Sequence, residues 1–166
     1  MRFGVLGFAL AVAACSAAPP DEARAQGPAF DPVAFFTGRS QGRGTLEQVM
    51  KKERSVAVES MGTPGKDGVL TLDQTVSIAG DPPKKRSWRL RSIGGGRYAG
   101  TLTDASGPVT AETVGRTIRI RYPMKGGLKV EQWLVPLPGG RAVDNRMTIT
   151  KWGMKVATLR ERIEKR

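Results

Sequence analysis

Three amides and a small set of aromatic and basic residues are the side chains of this sequence best suited to reading a small molecule. Gln74 falls in a row with Leu72 and Val76, Gln132 with Val130 and Leu134, and Asn145 with Val143, Met147 and Ile149. An amide set among aliphatics needs hydrogen-bond partners, and its donor and acceptor can both address a polar group on a ligand. Trp88, Tyr98 and Trp133 add flat apolar faces, and Arg146 and Lys151, beside Trp152, add positive charge. These positions are the candidate ligand contacts. Each has a plainer use: an amide satisfies a neighbouring strand or a bulge, and the tryptophans serve barrel-end or cross-strand packing. A second set, Arg89, Arg91, Arg119 and Arg121, alternates with apolar residues and can grip phosphate on an anionic lipid with its guanidinium forks. Arg86 reads as part of the same outward row. The plainer use is a solvated outer face whose cations discourage edge aggregation.

The residue inventory excludes much else. The 166 residues contain no His and one Cys. No Ser-His-Asp or Cys-His relay is possible, nor a Cys/His zinc cage, nor an intrachain disulfide. Asp73 and Asp104 could pair for glycoside hydrolysis or hold a hard cation, but their spacing gives this no support. Asp104 precedes Ser106-Gly107-Pro108, where Asp commonly satisfies turn N–H groups. No catalytic residue, no cofactor and no metal site is expected. The formal charge is +12, from 27 Lys and Arg against 15 Asp and Glu.

The N-terminus reads as an address. Arg2 precedes an apolar run from Phe3 to Ala14, too short for a spanning helix of ~20 residues and fitting the h-region of a signal peptide. Val12-Ala13-Ala14-Cys15 resembles the bacterial lipobox, which implies cleavage before Cys15 and acylation of that residue. A second cut after Ala23-Arg24-Ala25 would instead release a soluble periplasmic protein. The expected division is a lipoprotein signal over 1–14, a lipidated Cys15 and tether over 15–29, and one domain over 30–166. A secretion signal argues against nucleic acid as the partner of the positive charge.

Asp31-Pro32 predicts a capped helical turn carrying Phe35 and Phe36, able to close one end of a barrel. From Gly38 onward apolar residues recur with period two. Ile118, Ile120 and Tyr122 alternate with Arg119 and Arg121, and Ala157, Leu159 and Ile163 share a face in the last stretch. Turn signals such as Pro64-Gly65-Lys66-Asp67-Gly68, Gly94-Gly95-Gly96 and Pro138-Gly139-Gly140 separate these runs. They imply nine or ten antiparallel strands. So long a meander leaves two exposed edges unless it closes, which predicts an all-β up-and-down barrel.

Several stretches are similar to one family, the lipocalin-like bacterial lipoproteins catalogued as domain of unknown function 3833. They are Phe35-Phe36-Thr37-Gly38 with Gly42-Arg43-Gly44, Gly68 to Asp73, Arg86-Ser87-Trp88-Arg89-Leu90, Arg97-Tyr98-Ala99-Gly100 with Asp104 and Gly107, Trp133, and above all Asp144 to Gly153. The likeness runs from about Phe30 to Arg166. Arg116 stands where the family usually has Asn, and Glu131-Gln132 keeps only one of the acids usual before the tryptophan. The resemblance implies a lipocalin-like barrel on a lipid anchor, with a more basic ligand face and no assigned reaction. The leading expectation is therefore a non-catalytic envelope lipoprotein, facing the periplasm with the outer membrane favoured, that binds or shields an apolar or amphiphilic molecule. Its rivals are a solid barrel whose basic face docks anionic lipid or a partner protein, and an enzyme acting on lipid or isoprenoid substrates.

Overall fold

The structure, a computed structural model, describes residues 19–21 and 29–166. Residues 1–14, expected to be a signal segment, and Cys15 lie outside the described residues. A short helix α1 (Pro32–Phe36) leads into ten strands: β1 (Gly38–Gln48), β2 (Arg54–Pro64), β3 (Val69–Ile78), β4 (Lys84–Gly94), β5 (Arg97–Leu102), β6 (Val109–Val114), β7 (Thr117–Met124), β8 (Leu128–Pro136), β9 (Ala142–Lys151) and β10 (Met154–Lys165). Each pairs antiparallel with its sequence neighbours, and β1 pairs with β10, closing the barrel. The closing ladder runs from Ser40 opposite Lys165 to Gln48 opposite Ala157. The lipocalin-like all-β barrel expected from the alternation is thus present, with the helical turn at its start. No described helix is long and apolar enough to cross a membrane.

Period-two patterning decides which side chains point inward. In β2, Val56, Val58 and Ser60 are buried while Arg54, Ala57 and Glu59 face outward or the rim. In β10 the inward row is Ala157, Leu159, Glu161 and Ile163. The β-branched residues there favour strand over helix, as expected, despite the density of charge.

The two ends differ. At one end Asp31 caps α1 by accepting from the Val33 and Ala34 amides, and Pro32 opens the helix. Phe35 and Phe36 meet edge to face at 4.9 Å between ring centroids, and both are buried. Lys165 ties the plug to β10 by donating to the Ala34 carbonyl at 3.1 Å. Gly62 is required where the plug lands, because a Cβ there would overlap the Phe36 carbonyl. Packing near this end is complete: Ile118 and Val143 are 0% exposed and Leu70 and Leu134 2%. At the other end nothing among the described residues plays the part of α1. There the inward residues Leu46, Val76, Ile78, Met124 and Ile149 are only partly buried, so the interior opens to a mouth.

Removing the plug's inner ring should be costly. Phe36→Ala is expected to lower unfolding free energy by about 3–5 kcal/mol, the usual range for a buried Phe truncation, as read from urea unfolding. A loss below about 1 kcal/mol would show that the plug does not contribute to the core.

Candidate functional site

Following each inward row from the plug to the mouth, the chain changes character at one level. In β3 the order is Leu70, Leu72, then Gln74, then Val76, Ile78. In β9 it is Val143, Asn145, Met147; in β8, Leu134, Gln132, Val130; in β10, Ile163, Glu161, Leu159. β1 and β2 place Ser40 and Ser60 at this level, β4 places Arg86, and β7 places the Tyr122 hydroxyl. A belt of polar side chains, broken at β5 and β6, therefore lines an otherwise apolar interior. Register makes part of it continuous, since Ser40 pairs with Ser60, Ser60 with Gln74, and Gln74 with Arg86.

On the β1–β4 side Gln74 is the hub. Its Nε2 donates to Ser60 Oγ at 2.9 Å, and its Oε1 accepts from Arg86 Nε at 2.7 Å and Trp88 Nε1 at 2.8 Å. The Arg86 guanidinium lies 5.7 Å from the Trp88 ring centroid, and Trp88 meets Tyr122 edge-on at 5.4 Å. On the β8–β10 side Gln132 Nε2 donates to Asn145 Oδ1 at 3.4 Å, and Asn145 Nδ2 donates to Glu161 Oε2 at 3.0 Å. Three atoms of the belt are buried without a hydrogen-bond partner among the described residues: Ser40 Oγ, Gln132 Oε1 and Glu161 Oε1. A buried polar group left unpaired costs about 1–3 kcal/mol, so these atoms are poised to bond something that enters.

Glu161 is the centre of the electrostatics. Burial raises its pKa, while the Asn145 hydrogen bond and the positive charge of Arg86 pull it back down. Arg86 also opposes the rise at Tyr122, whose hydroxyl burial pushes up to about 12. The interior thus holds a cation and a carboxyl within electrostatic reach of each other. Gly42 makes room for the acid: a Cβ there would overlap Glu161 Oε1. Burial favours the protonated form of such a carboxyl, and in that form it can donate as well as accept.

The candidates read from the sequence divide. Gln74, Trp88, Gln132 and Asn145 are inward and buried in the belt. Tyr98 is inward but near the plug, where burial and the charge of Asp31 raise its pKa. Lys151 lies at the mouth, its ammonium 4.7 Å from the Trp152 ring centroid. Trp133 and Arg146 stand on the outer face: Trp133 is buried beneath Arg119, 5.5 Å from its ring centroid, and bonds Glu131. The three tryptophans therefore form no common cage. Of the arginine row, Arg89 and Arg91 are outward and exposed, whereas Arg119 and Arg121 share the Glu112 carboxylate, whose pKa the Arg119 hydrogen bond lowers. Arg86, read as outward, points inward because it shares parity with Trp88. Glu161 went unread although Ala157, Leu159 and Ile163 define its row; a lone acid in an inward row was the signal. Two open grooves lie on the outside, one over β1–β4 of about 960 Å³ and one over β8–β10 lined by Trp133 and Pro20.

A family model described as protein of unknown function (DUF3833) matches residues 9–165. The chain belongs to this family. Among solved structures, this DUF3833 member is similar to the S-type phycobiliprotein lyase CPES from Guillardia theta, with a TM-score of 0.63 at 7% identity, covering 81% of this chain and 90% of that one. At that identity the likeness is one of fold. No curated protein matches the sequence.

The belt's acid gives two expected outcomes. Because the folded-state pKa of Glu161 is raised, the folded state binds more protons than the unfolded chain above the ordinary carboxylate range, and stability falls as pH rises through that window. Glu161→Gln should therefore raise the thermal midpoint at pH 8 relative to wild type, with the difference shrinking toward pH 4. A difference independent of pH would mean that the carboxyl is not strained by burial. Gly42→Ala should destabilise by about 1–3 kcal/mol through overpacking, and by clearly less in a Glu161→Ala background. Equal costs in both backgrounds would remove the proposed close approach.

Proposed function

We propose that the protein is a ligand-binding barrel of the bacterial envelope that takes up a small amphiphilic molecule through its mouth. The observation that carries this is the polar belt: three buried atoms without partners among the described residues, an interior Arg86 and a buried Glu161 whose pKa burial raises, set between apolar zones. An apolar body fits against Val76, Ile78, Met147 and Ile149, and a polar end fits against the belt. Sites of this kind are mostly apolar with a few convergent polar groups. The likeness of fold to a phycobiliprotein lyase supports a barrel that can hold a ligand. The reading assigns binding and shielding, with Glu161 and Arg86 orienting the polar end, and no covalent step. Cys15 is read as a lipid anchor that holds the barrel at a membrane facing the periplasm, the outer membrane being favoured, with membrane lipid as its partner.

The alternative is a solid module whose basic flank docks anionic lipid or a partner protein. Exposed Arg89 and Arg91 on β4 favour it, while the binding of Arg119 and Arg121 to Glu112 weakens it.

Native mass spectrometry of the protein purified from its own membrane tests the main reading. A co-purifying small mass is expected in the wild type, and Met147→Trp, which fills the interior beside Gln132, is expected to lose it. Protein without added mass, together with no displacement of a fluorescent fatty-acid probe, would refute the reading in favour of the solid module. Cys15→Ser should abolish incorporation of labelled palmitate and shift the protein to the soluble periplasmic fraction. Unchanged membrane association would remove the anchor.

A further inference from the structure

The mouth has an unusual lip. Among the described residues the exposed large hydrophobics are Val49, Met50, Met61, Ile93, Trp152 and Met154. Four of them sit at one corner. The β1–β2 turn carries Val49 and Met50, the β9–β10 turn carries Trp152 and leads into Met154, and the two turns touch: the Val49 amide donates to the Val156 carbonyl at 3.0 Å. Met50 is 99% and Trp152 81% exposed.

Their backbones sharpen the point. Met50 (φ 62°) and Trp152 (φ 51°) are the described non-glycine residues with positive φ. Trp152 is the first of the two residues between the paired Lys151 and Met154, where hairpin turns of this conformation favour Asn, Asp or Gly. Met50 is the third residue of the Gln48–Lys51 turn, where a positive φ favours Gly or Asn. A large apolar residue there gains no burial and fits the turn less well, so turn geometry does not account for the choice.

Around these side chains positive charge predominates. The segments 49–53 and 151–155, with the β7–β8 turn 125–127 beside them, carry Lys51, Lys52, Lys125, Lys151 and Lys155 against one acid, Glu53. The β7–β8 turn joins the same edge, since Leu128 pairs with Lys151. Asp81 and Asp104 lie in the neighbouring turns, and Asp81 is held by Arg54. Exposed Trp and Met within a ring of lysines match the chemistry of a bilayer surface: indole at the headgroup boundary, thioether toward the acyl chains, ammonium on anionic headgroups. The partly buried apolar residues of the mouth continue inward from this lip.

We propose that the lip formed by Val49, Met50, Trp152 and Met154 with its lysines inserts into the headgroup region of an anionic lipid bilayer, turning the barrel mouth toward the membrane. This contact is independent of whether the interior holds a ligand, and it is distinct from the flank of β4.

The full chain is reconstituted in vesicles whose acyl chains are brominated, either with phosphatidylglycerol present or of phosphatidylcholine alone. Tryptophan emission reports contact, because bromine quenches an indole that reaches the acyl boundary. Quenching is expected with phosphatidylglycerol, is expected to be lost in Trp152→Phe, and is expected to fall in Lys51→Glu/Lys151→Glu/Lys155→Glu. Each lysine near the surface is worth about a fivefold change in affinity, and added salt on the unmutated protein should have the same effect as the charge reversal. Several results would overturn the proposal. Quenching unchanged by Trp152→Phe would place the lip in water. Equal quenching in phosphatidylcholine would show contact set by proximity alone. Loss in Arg89→Glu/Arg91→Glu with the lip variants unaffected would put the membrane on the β4 flank. Emission that depends on protein concentration but not on lipid would make the lip a self-association surface.

Discussion

The pairing of β1 with β10 is the constraint on which the rest depends. Without it the sheet is a ten-strand meander with two bare edges, and there is no inside. With it, the side chain parity set in each strand becomes a choice between a shared interior and solvent. A slip of β10 by one residue in that ladder would put Arg160 and Arg162 inside and expel Leu159 and Ile163. Gly42 and Gly44 lie on the inward row of β1, and this makes the closing pair compatible with a long acid on β10. Glu161 lies opposite Gly44 and reaches over Gly42. The seam that closes the barrel is therefore also the place where its most unusual interior side chain is housed.

Much of the barrel was legible because alternation is a local signal. Ile118-Arg119-Ile120-Arg121-Tyr122 specifies a strand with two faces whatever it packs against, and the Gly- and Pro-rich separators specify where strands reverse. Asp31-Pro32 announced the plug in the same local way. Gln74, Gln132 and Asn145 were readable as inward because each stands between aliphatics. What was not legible is which inward residues meet. That Gln74 joins Ser60, Arg86 and Trp88 depends on register between strands, and local pattern carries no register. Arg86 was misread because three arginines in six residues look like one row, although parity separates Arg86 from Arg89 and Arg91. Trp133 was readable as alternating with Leu134, and its face excluded it from an interior cage from the start.

The positive charge also divides once the fold is known. Arg119 and Arg121 share Glu112, and Arg119 covers Trp133, so their charge is largely consumed in holding the outer faces of β6, β7 and β8. Such surface ion pairs contribute little individually, about 0–1 kcal/mol, and their service here is to shield an aromatic ring. Arg86 is turned inward. What remains outward is spread over several faces, with lysines gathered at the mouth and exposed arginines on β4, β1 and β10, among them Arg89, Arg91, Arg43 and Arg160. Net charge alone would have suggested a uniformly basic surface.

The polar belt is hard to explain as a device for stability. A barrel of this shape folds on its apolar rows, and the zone between the belt and the plug shows how completely they can pack. Substituting aliphatics at Gln74, Gln132, Asn145 and Glu161 would remove the desolvation of three amides and of a carboxyl that burial penalises. The network gives both polar atoms of the Gln74 amide a partner, yet it leaves Glu161 Oε1, Gln132 Oε1 and Ser40 Oγ unpaired. A half-satisfied network is worse for stability than either a complete one or none. The unpaired atoms lie on the β1, β8 and β10 side, around the carboxyl, and the satisfied hub lies on the β3 and β4 side, around the guanidinium. This asymmetry follows naturally if the first side is completed by an incoming molecule and the second is prebuilt to orient it. The residues that cost the fold most are thus those that give its interior a direction.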